Sequence, residues 1–315
     1  MSKILVNLCR WFFLGLYTII TIIPRYLYIG IMCLIDPKRG ANLKYKGKPI
    51  IPAMMITLTL TIYFICIFIS SKWYVQQLKI KYLANDIKES TKMLEGERTS
   101  NTDNSNEEII AATTENDASK YKNISYLSVD FTDLLKKNSE TVGWIKVNNT
   151  NVNYSVVQHN DNDFYLKHDF NQNVNYNGWV YGDYRDNFEH FGTNTIIYAH
   201  NMTNRTMFGS LVWVLKESWY KNTENHYIKV STPTTNTIWK IFSIYTIKPE
   251  VYYLKTYFDT NEEHQEFLDI IKGRSIYNFN EQLTPDNKVL TLSTCTDDGT
   301  KRIVIHAKLI KAEYK

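Results

Sequence analysis

Lys288-Val289-Leu290-Thr291-Leu292-Ser293-Thr294-Cys295, the break Thr296-Asp297-Asp298-Gly299-Thr300-Lys301, and Arg302-Ile303-Val304-Ile305-His306-Ala307-Lys308-Leu309 form the stretch that decides the fold. Two β-branched, apolar runs flank six polar residues containing Asp-Gly, which is the signature of a hairpin. Residues that face each other across such a pair have Cβ atoms about 4.5–5.5 Å apart. Cys295 closes the first strand and Arg302 opens the second, so the hairpin alone sets a thiol beside a guanidinium.

That pairing has chemical weight. An ordinary thiol titrates near 8.5, and a neighbouring cation favours the nucleophilic thiolate. Arginine also presents five donors that can hold a carbonyl or the oxyanion formed from it. A second apolar strand, Thr195-Ile196-Ile197-Tyr198-Ala199, likewise ends in a polar residue, His200. A buried structural cysteine with a surface arginine is the ordinary reading of such a pair, and the histidine at a matching strand exit argues against it.

With these residues in view, the chain resembles a sortase, and the surrounding text is similar to class B. Thr291–Cys295 with the downstream Arg302 and Asn194–Met202 carry the likeness. Thr141-Val142-Gly143-Trp144-Ile145, Asp161–Leu166 and Thr206–Leu211 support it, and the similarity covers roughly residues 121–315. The resemblance implies a membrane-anchored cysteine transpeptidase of Gram-positive bacteria. Such an enzyme cuts a C-terminal sorting signal after its Thr and joins that Thr to an amine.

Residue by residue, the resemblance implies that Cys295 is the nucleophile and His200 the general acid/base. Arg302 would orient the substrate and stabilise the oxyanion. Tyr198 and Ser293 stand two residues before the catalytic positions and share their strand faces, so they are expected in the substrate groove, with Thr294 and Asp297. Two departures stand out: Ala199 replaces the family's usual Gly before the histidine, and the Cys-to-Arg loop is short for class B. The loop contacts of Asp297 and Asp298 therefore carry over poorly. No cofactor and no metal site is expected. The implied partners are surface proteins bearing a sorting signal, a cell-wall peptide or lipid-linked precursor amine, and the membrane.

Composition bounds the rest. The net charge of +4 hides two unlike parts: residues 1–81 carry +10 and residues 82–315 carry −6. A nucleic-acid binder needs its basic footprint on the folded domain, and this chain has it at the apolar end. Of the four cysteines only Cys295 falls in the C-terminal domain, which excludes a disulfide or a Cys/His zinc site there.

Ile50–Ser71 runs about 22 residues without a charge, long enough to span a bilayer. The preceding Asp36–Lys48 loop has five Lys or Arg against one Asp, which predicts a cytoplasmic loop and an extracellular catalytic domain. Residues 11–35 are also apolar but are interrupted by Pro24-Arg25, which allows a kinked second span, a re-entrant hairpin or an interfacial segment, the first being expected. The expected organisation is an N-terminal membrane-associated segment with a basic loop (1–49), a transmembrane helix (50–71), a juxtamembrane helix and flexible stalk (72–120), and the catalytic domain (121–315). Short strands spaced by turns predict a mainly β fold, and the resemblance makes it a sortase-type eight-stranded β-barrel with peripheral α-helices. One of those helices is expected at Asn261–Lys272, whose apolar positions are Phe267, Leu268, Ile270 and Ile271.

Six of the seven histidines read as structural, among them His306 packed on the last strand. The function expected from the resemblance is transfer of an acylated Thr to a cell-wall amine at the cell membrane. The alternatives are a pilus-assembly sortase, a membrane-tethered binding module without catalysis, and a secreted cysteine protease. The last is disfavoured because no C-G-S-C-W or Q-A-C-x-G context surrounds Cys295.

Overall fold

The structure, a computed structural model, describes residues 35, 44–45, 48–94, 107–109, 121 and 123–315. The chain divides into two units, Met1–Tyr74 and Val75–Lys315. The proposed second membrane segment lies, apart from Ile35, outside the described residues.

Helix α1, Ile50–Ser90, is a single unbroken run of 41 residues, so the expected span and juxtamembrane helix are one element. Pro52 sits in its first turn, where a missing N–H costs nothing, and neither Gly nor Pro follows within the helix. Leu58, Ile62, Phe64, Ile65, Phe68 and Ile69 are all exposed. A helix apolar on every side with bare side chains suits lipid, and among the described residues it is the one helix long and apolar enough to cross a membrane. From Val75 onward the helix belongs to the second unit, where Ile80, Ala84 and Ile87 join the main hydrophobic core.

Eight strands of that unit close into a barrel: β1 (Thr141–Val147), β2 (Asn153–Val157), β3 (Tyr181–Gly182), β4 (Asn194–Tyr198), β5 (Tyr227–Ser231), β6 (Thr235–Ile247), β7 (Val289–Cys295) and β8 (Arg302–Tyr314). Their order is β6-β5-β1-β2-β3-β4-β7-β8, and β8 pairs back onto β6. The β2–β3 and β4–β7 pairs are parallel and the others antiparallel. Closure removes the open sheet edges. Within the expected stalk, Glu107–Ile109 pair with Lys311–Glu313 at the far end of β8.

The strands are buried on both faces because the barrel is filled inside and covered outside. Helix α2 (Thr132–Lys137) precedes the barrel, and α3 (Glu217–Tyr220) follows a 3-10 stretch, Gly209–Leu215. Helix α4 (Asn261–Gly273) begins at Thr260, whose hydroxyl accepts from the Glu263 N–H at 3.2 Å. It lays Phe267, Leu268 and Ile271 on Phe242, Val289 and Val304. His264 completes this face at helical spacing, and Ile270 beside it is half-buried.

Candidate active site

The parallel pairing of β4 and β7 builds the site. Its last register pair is Ser293 with Tyr198. Two residues further along each chain come Cys295 and His200, which leave the barrel at the same end. On its other side β7 pairs antiparallel with β8, and the final pair is Cys295 with Arg302. The hairpin turn holds this end with Thr296 N–H donating to the Lys301 carbonyl at 3.0 Å and Gly299 at φ +70°. Three adjacent strands thus deliver a thiol, an imidazole and a guanidinium to one rim.

Cys295 is half-buried and carries a free thiol. Arg302 is half-buried too, and the hydrogen bond it makes is a long one, 3.4 Å, to the Lys301 carbonyl. Among the described residues no carboxylate pairs with it, so its fork stays available to a ligand. His200 is half-buried, and its Nε2 lies 2.9 Å from the Leu166 carbonyl oxygen. A carbonyl can only accept, so the network places the proton on Nε2 and leaves Nδ1 bare in the neutral ring. Gly178, at φ +59°, runs directly against the imidazole: a Cβ there would come within 3.0 Å of His200 Cδ2.

The four residues expected in the groove have other partners. Tyr198 donates its hydroxyl to Asp183 Oδ2 at 2.9 Å. Ser293 is buried with its hydroxyl 3.1 Å from that of Tyr253. Thr294 is buried and donates to the Ala199 carbonyl at 2.7 Å, tying the cysteine strand to the residue before His200. Asp297 is exposed, accepts from Asn201 Nδ2 at 2.9 Å, and forms a forked pair with Arg205 at 2.9 and 3.1 Å. These last bonds hold its carboxyl below the usual range and join the Cys295 turn to the His200 turn.

Beside the thiol lies a dense polar cluster. Burial pushes the Tyr181 hydroxyl far up, helped by the charges of Asp163, Asp183 and Cys295, and its ring centroid is 5.3 Å from that of Tyr198. Burial also raises Asp183, but the forked Arg185 bonds and the Tyr198 hydroxyl outweigh it and leave the carboxyl below its ordinary value. Burial, helped by the Asp183 charge, pushes Asp186 up to about 7, against the Ile196 N–H at 2.6 Å and the Arg185 charge, which oppose it.

Among the described residues no group of three or more His, Cys, Asp or Glu side chains could hold a metal ion. The other histidines serve as packing and tethers. His306 is fully buried between the hydroxyls of Thr291 and Tyr245, each 2.8 Å away, and His159 pairs with Glu140 at 2.7 Å. Sequence reasoning did not find Leu166, Gly178, Tyr181, Tyr253 or Arg205. The Asn177-Gly178 dipeptide is a turn signal that marks the Gly, whereas a carbonyl acceptor such as that of Leu166 leaves no trace in side-chain identity.

A family model described as the Sortase domain matches residues 145–310. Sortase B of Staphylococcus aureus (strain NCTC 8325 / PS 47) is 34% identical over 193 residues, which is 60% of this chain and 78% of that protein. Sortase B of Listeria monocytogenes serovar 1/2a is 32% identical over 181 residues, 56% of this chain and 73% of that protein. A crystal structure of sortase B from Bacillus anthracis in complex with AAEK1 superposes with a TM-score of 0.59 at 28% identity, covering 76% of this chain and 99% of that one.

Proposed function

The chain belongs to the sortase family, and from that premise we propose that it is a class B-like transpeptidase with Cys295 as nucleophile, His200 as acid/base and Arg302 as oxyanion donor. The substrate is a surface protein with a C-terminal sorting signal, cut after its Thr. The acceptor is an amine of a cell-wall peptide or its lipid-linked precursor. The observation that carries this reading is the double register: Arg302 faces Cys295 across the hairpin, and His200 leaves the neighbouring parallel strand at the same level.

The steps follow from the atoms present. His200 Nδ1 takes the thiol proton, and Sγ attacks the Thr carbonyl carbon. The C=O electrons move onto oxygen, where the guanidinium meets the developing charge. As the tetrahedral species collapses, the C–N bond breaks and the imidazolium gives its proton to the leaving amine. A thioester remains on Cys295. The acceptor amine then attacks the same carbon and yields its proton to His200. The C–S bond breaks, and the thiolate is reprotonated. Two modest barriers replace one amide exchange. Through both steps the Leu166 carbonyl holds the ring by Nε2.

The basic end of the chain and the apolar helix α1 support a cell-membrane location with the barrel extracellular. The test uses the full chain in detergent micelles and peptides with candidate sorting motifs, with and without an added amine such as triglycine. We expect an adduct of the Thr carbonyl with the amine, and a thioester on Cys295 trapped when the amine is withheld. Cys295→Ala should lose turnover while keeping its melting temperature. Turnover near wild type in that variant would remove the cysteine mechanism.

A further inference from the structure

Helix α1 does more than continue from the apolar run. Six residues past Ser71 its Gln77 side chain is buried, and the amide is held at both ends by residues far away in sequence. Gln77 Nε2 donates to Asn177 Oδ1 at 2.8 Å, and Asn204 Nδ2 donates to Gln77 Oε1 at 2.7 Å. These two partners belong to the two loops that flank His200.

Asn177 immediately precedes Gly178, whose backbone runs against the imidazole. Trp179, next along, donates its N–H to the Tyr165 carbonyl at 2.9 Å, one residue before the Leu166 carbonyl that holds Nε2. On the other side, Asn204 lies in the turn that follows His200, and its Oδ1 accepts from both the N–H and the hydroxyl of Thr206. The turn closes when Phe208 N–H donates to the His200 carbonyl at 3.1 Å. Arg205 and Met207 in this turn have φ of +63° and +50°. Non-glycine residues keep such angles only where neighbouring contacts over-determine them. Arg205 in turn grips Asp297, two residues past the cysteine.

We infer that Gln77 is a positioning residue for the reaction: its amide spans the two loops around His200 and fixes the imidazole against Cys295. The machinery around His200 therefore reaches to Gln77 on helix α1 and, among the described residues, to no other residue of that helix. Unlike Ile80, Ala84 and Ile87 on the same helix, which contribute apolar packing alone, Gln77 acts through directed bonds. The activity arm of the test rests on the transpeptidase reading given above, and the spectroscopic arm does not.

The experiment compares wild type, Gln77→Leu and Ile80→Val as full chains in detergent micelles. Histidines are labelled at Cε1, and the His200 resonance is identified by its loss in His200→Gln. In Gln77→Leu the His200 titration midpoint should shift, and kcat should fall about tenfold to a hundredfold with KM within twofold, the scale expected for a misplaced catalytic group. Ile80→Val loosens the same helix without touching the amide, so it should lower the melting temperature and leave His200 and kcat alone. If Gln77→Leu fails to fold, Gln77→Met, unbranched and of similar length, carries the comparison. An unchanged His200 titration with unchanged kcat overturns the inference, and so does an Ile80→Val variant that reproduces the shift. A wild type that turns over no sorting peptide would sink the transpeptidase reading, while the His200 titration would still decide the role of Gln77.

Discussion

Replacing Gly178 by alanine tests the support beneath His200 with a single methyl group. The residue sits at φ +59°, where an L side chain costs roughly 1–2 kcal/mol. The added Cβ would also fall 2.4 Å from the Tyr165 carbonyl oxygen and 3.0 Å from that of Leu166. Backbone atoms cannot swing aside as side-chain ends can, so the loop must move, and overpacking of this kind costs about 1–3 kcal/mol. Together the loss is about 2–5 kcal/mol, or about 4–20 °C in Tm for a unit of this size. The consequence for turnover should exceed that for stability. One of the two carbonyls in the way, that of Leu166, is itself the acceptor for His200 Nε2, and a displacement near 1 Å costs about 10² in rate. A thermal melt and kcat/KM on a quenched sorting peptide with added amine measure both effects. Gly192, with open space around its Cβ position, serves as control and should tolerate alanine. An unchanged Tm would refute the steric argument. A lowered Tm with wild-type kcat/KM would show that the Leu166 contact is dispensable.

Three further outcomes can be measured. Arg302→Lys keeps the charge but loses the planar fork, so it should lose most of its rate with little change in melting temperature, and Arg302→Ala should fall at least about 10²–10³ in kcat; near-wild-type turnover in the Lys variant would make the charge alone sufficient. Asp186, pushed up to about 7 mainly by burial, holds its proton more tightly folded than unfolded, so its contribution to stability is lost as pH climbs from about 4 to 7. Asp186→Asn keeps an acceptor for Ile196 and cannot ionise, so its Tm should gain on wild type between pH 5 and pH 8, and parallel curves would contradict this. If the barrel faces outward, protease added to wall-free cells should release a soluble fragment bearing Cys295, whereas protection until the membrane is opened would reverse the topology.

The strands were legible because their apolar runs are long and bounded by turns: β7 and the start of β8 fall where the pattern puts them. The rim pairing of Cys295 and Arg302 followed from the hairpin alone. His200 needed the family resemblance, because nothing in the local sequence reports that β4 runs parallel to β7 across most of the domain. Strand parity put Tyr198 and Ser293 in the groove, and parity gives a face but not a partner. Their hydroxyls, and that of Thr294, are taken by Asp183, Tyr253 and the Ala199 carbonyl. The unbroken α1 was hidden by the change from apolar to mixed residues near Ser71, which alters the environment of a helix and not its backbone. Gln77 was invisible for a related reason: a lone amide on a helix becomes informative only when its two partners, 100 and 127 positions away, are known.

The parallel pairing of β4 with β7 has a bearing on when the chain becomes reactive. The hydroxyl of Thr294 reaches the carbonyl of Ala199 across 95 positions of sequence, and contacts of such separation form late because loop closure precedes any reward. On the proposed mechanism, Cys295 has no base at hand until they form, even if its hairpin has already folded. Nascent, stalled or damaged copies are therefore silent towards substrates, and no separate inhibitory segment is required to keep them so. A mechanism-based thiol probe would count closed barrels and not protein mass, which makes labelling by such a probe a folding assay for this chain.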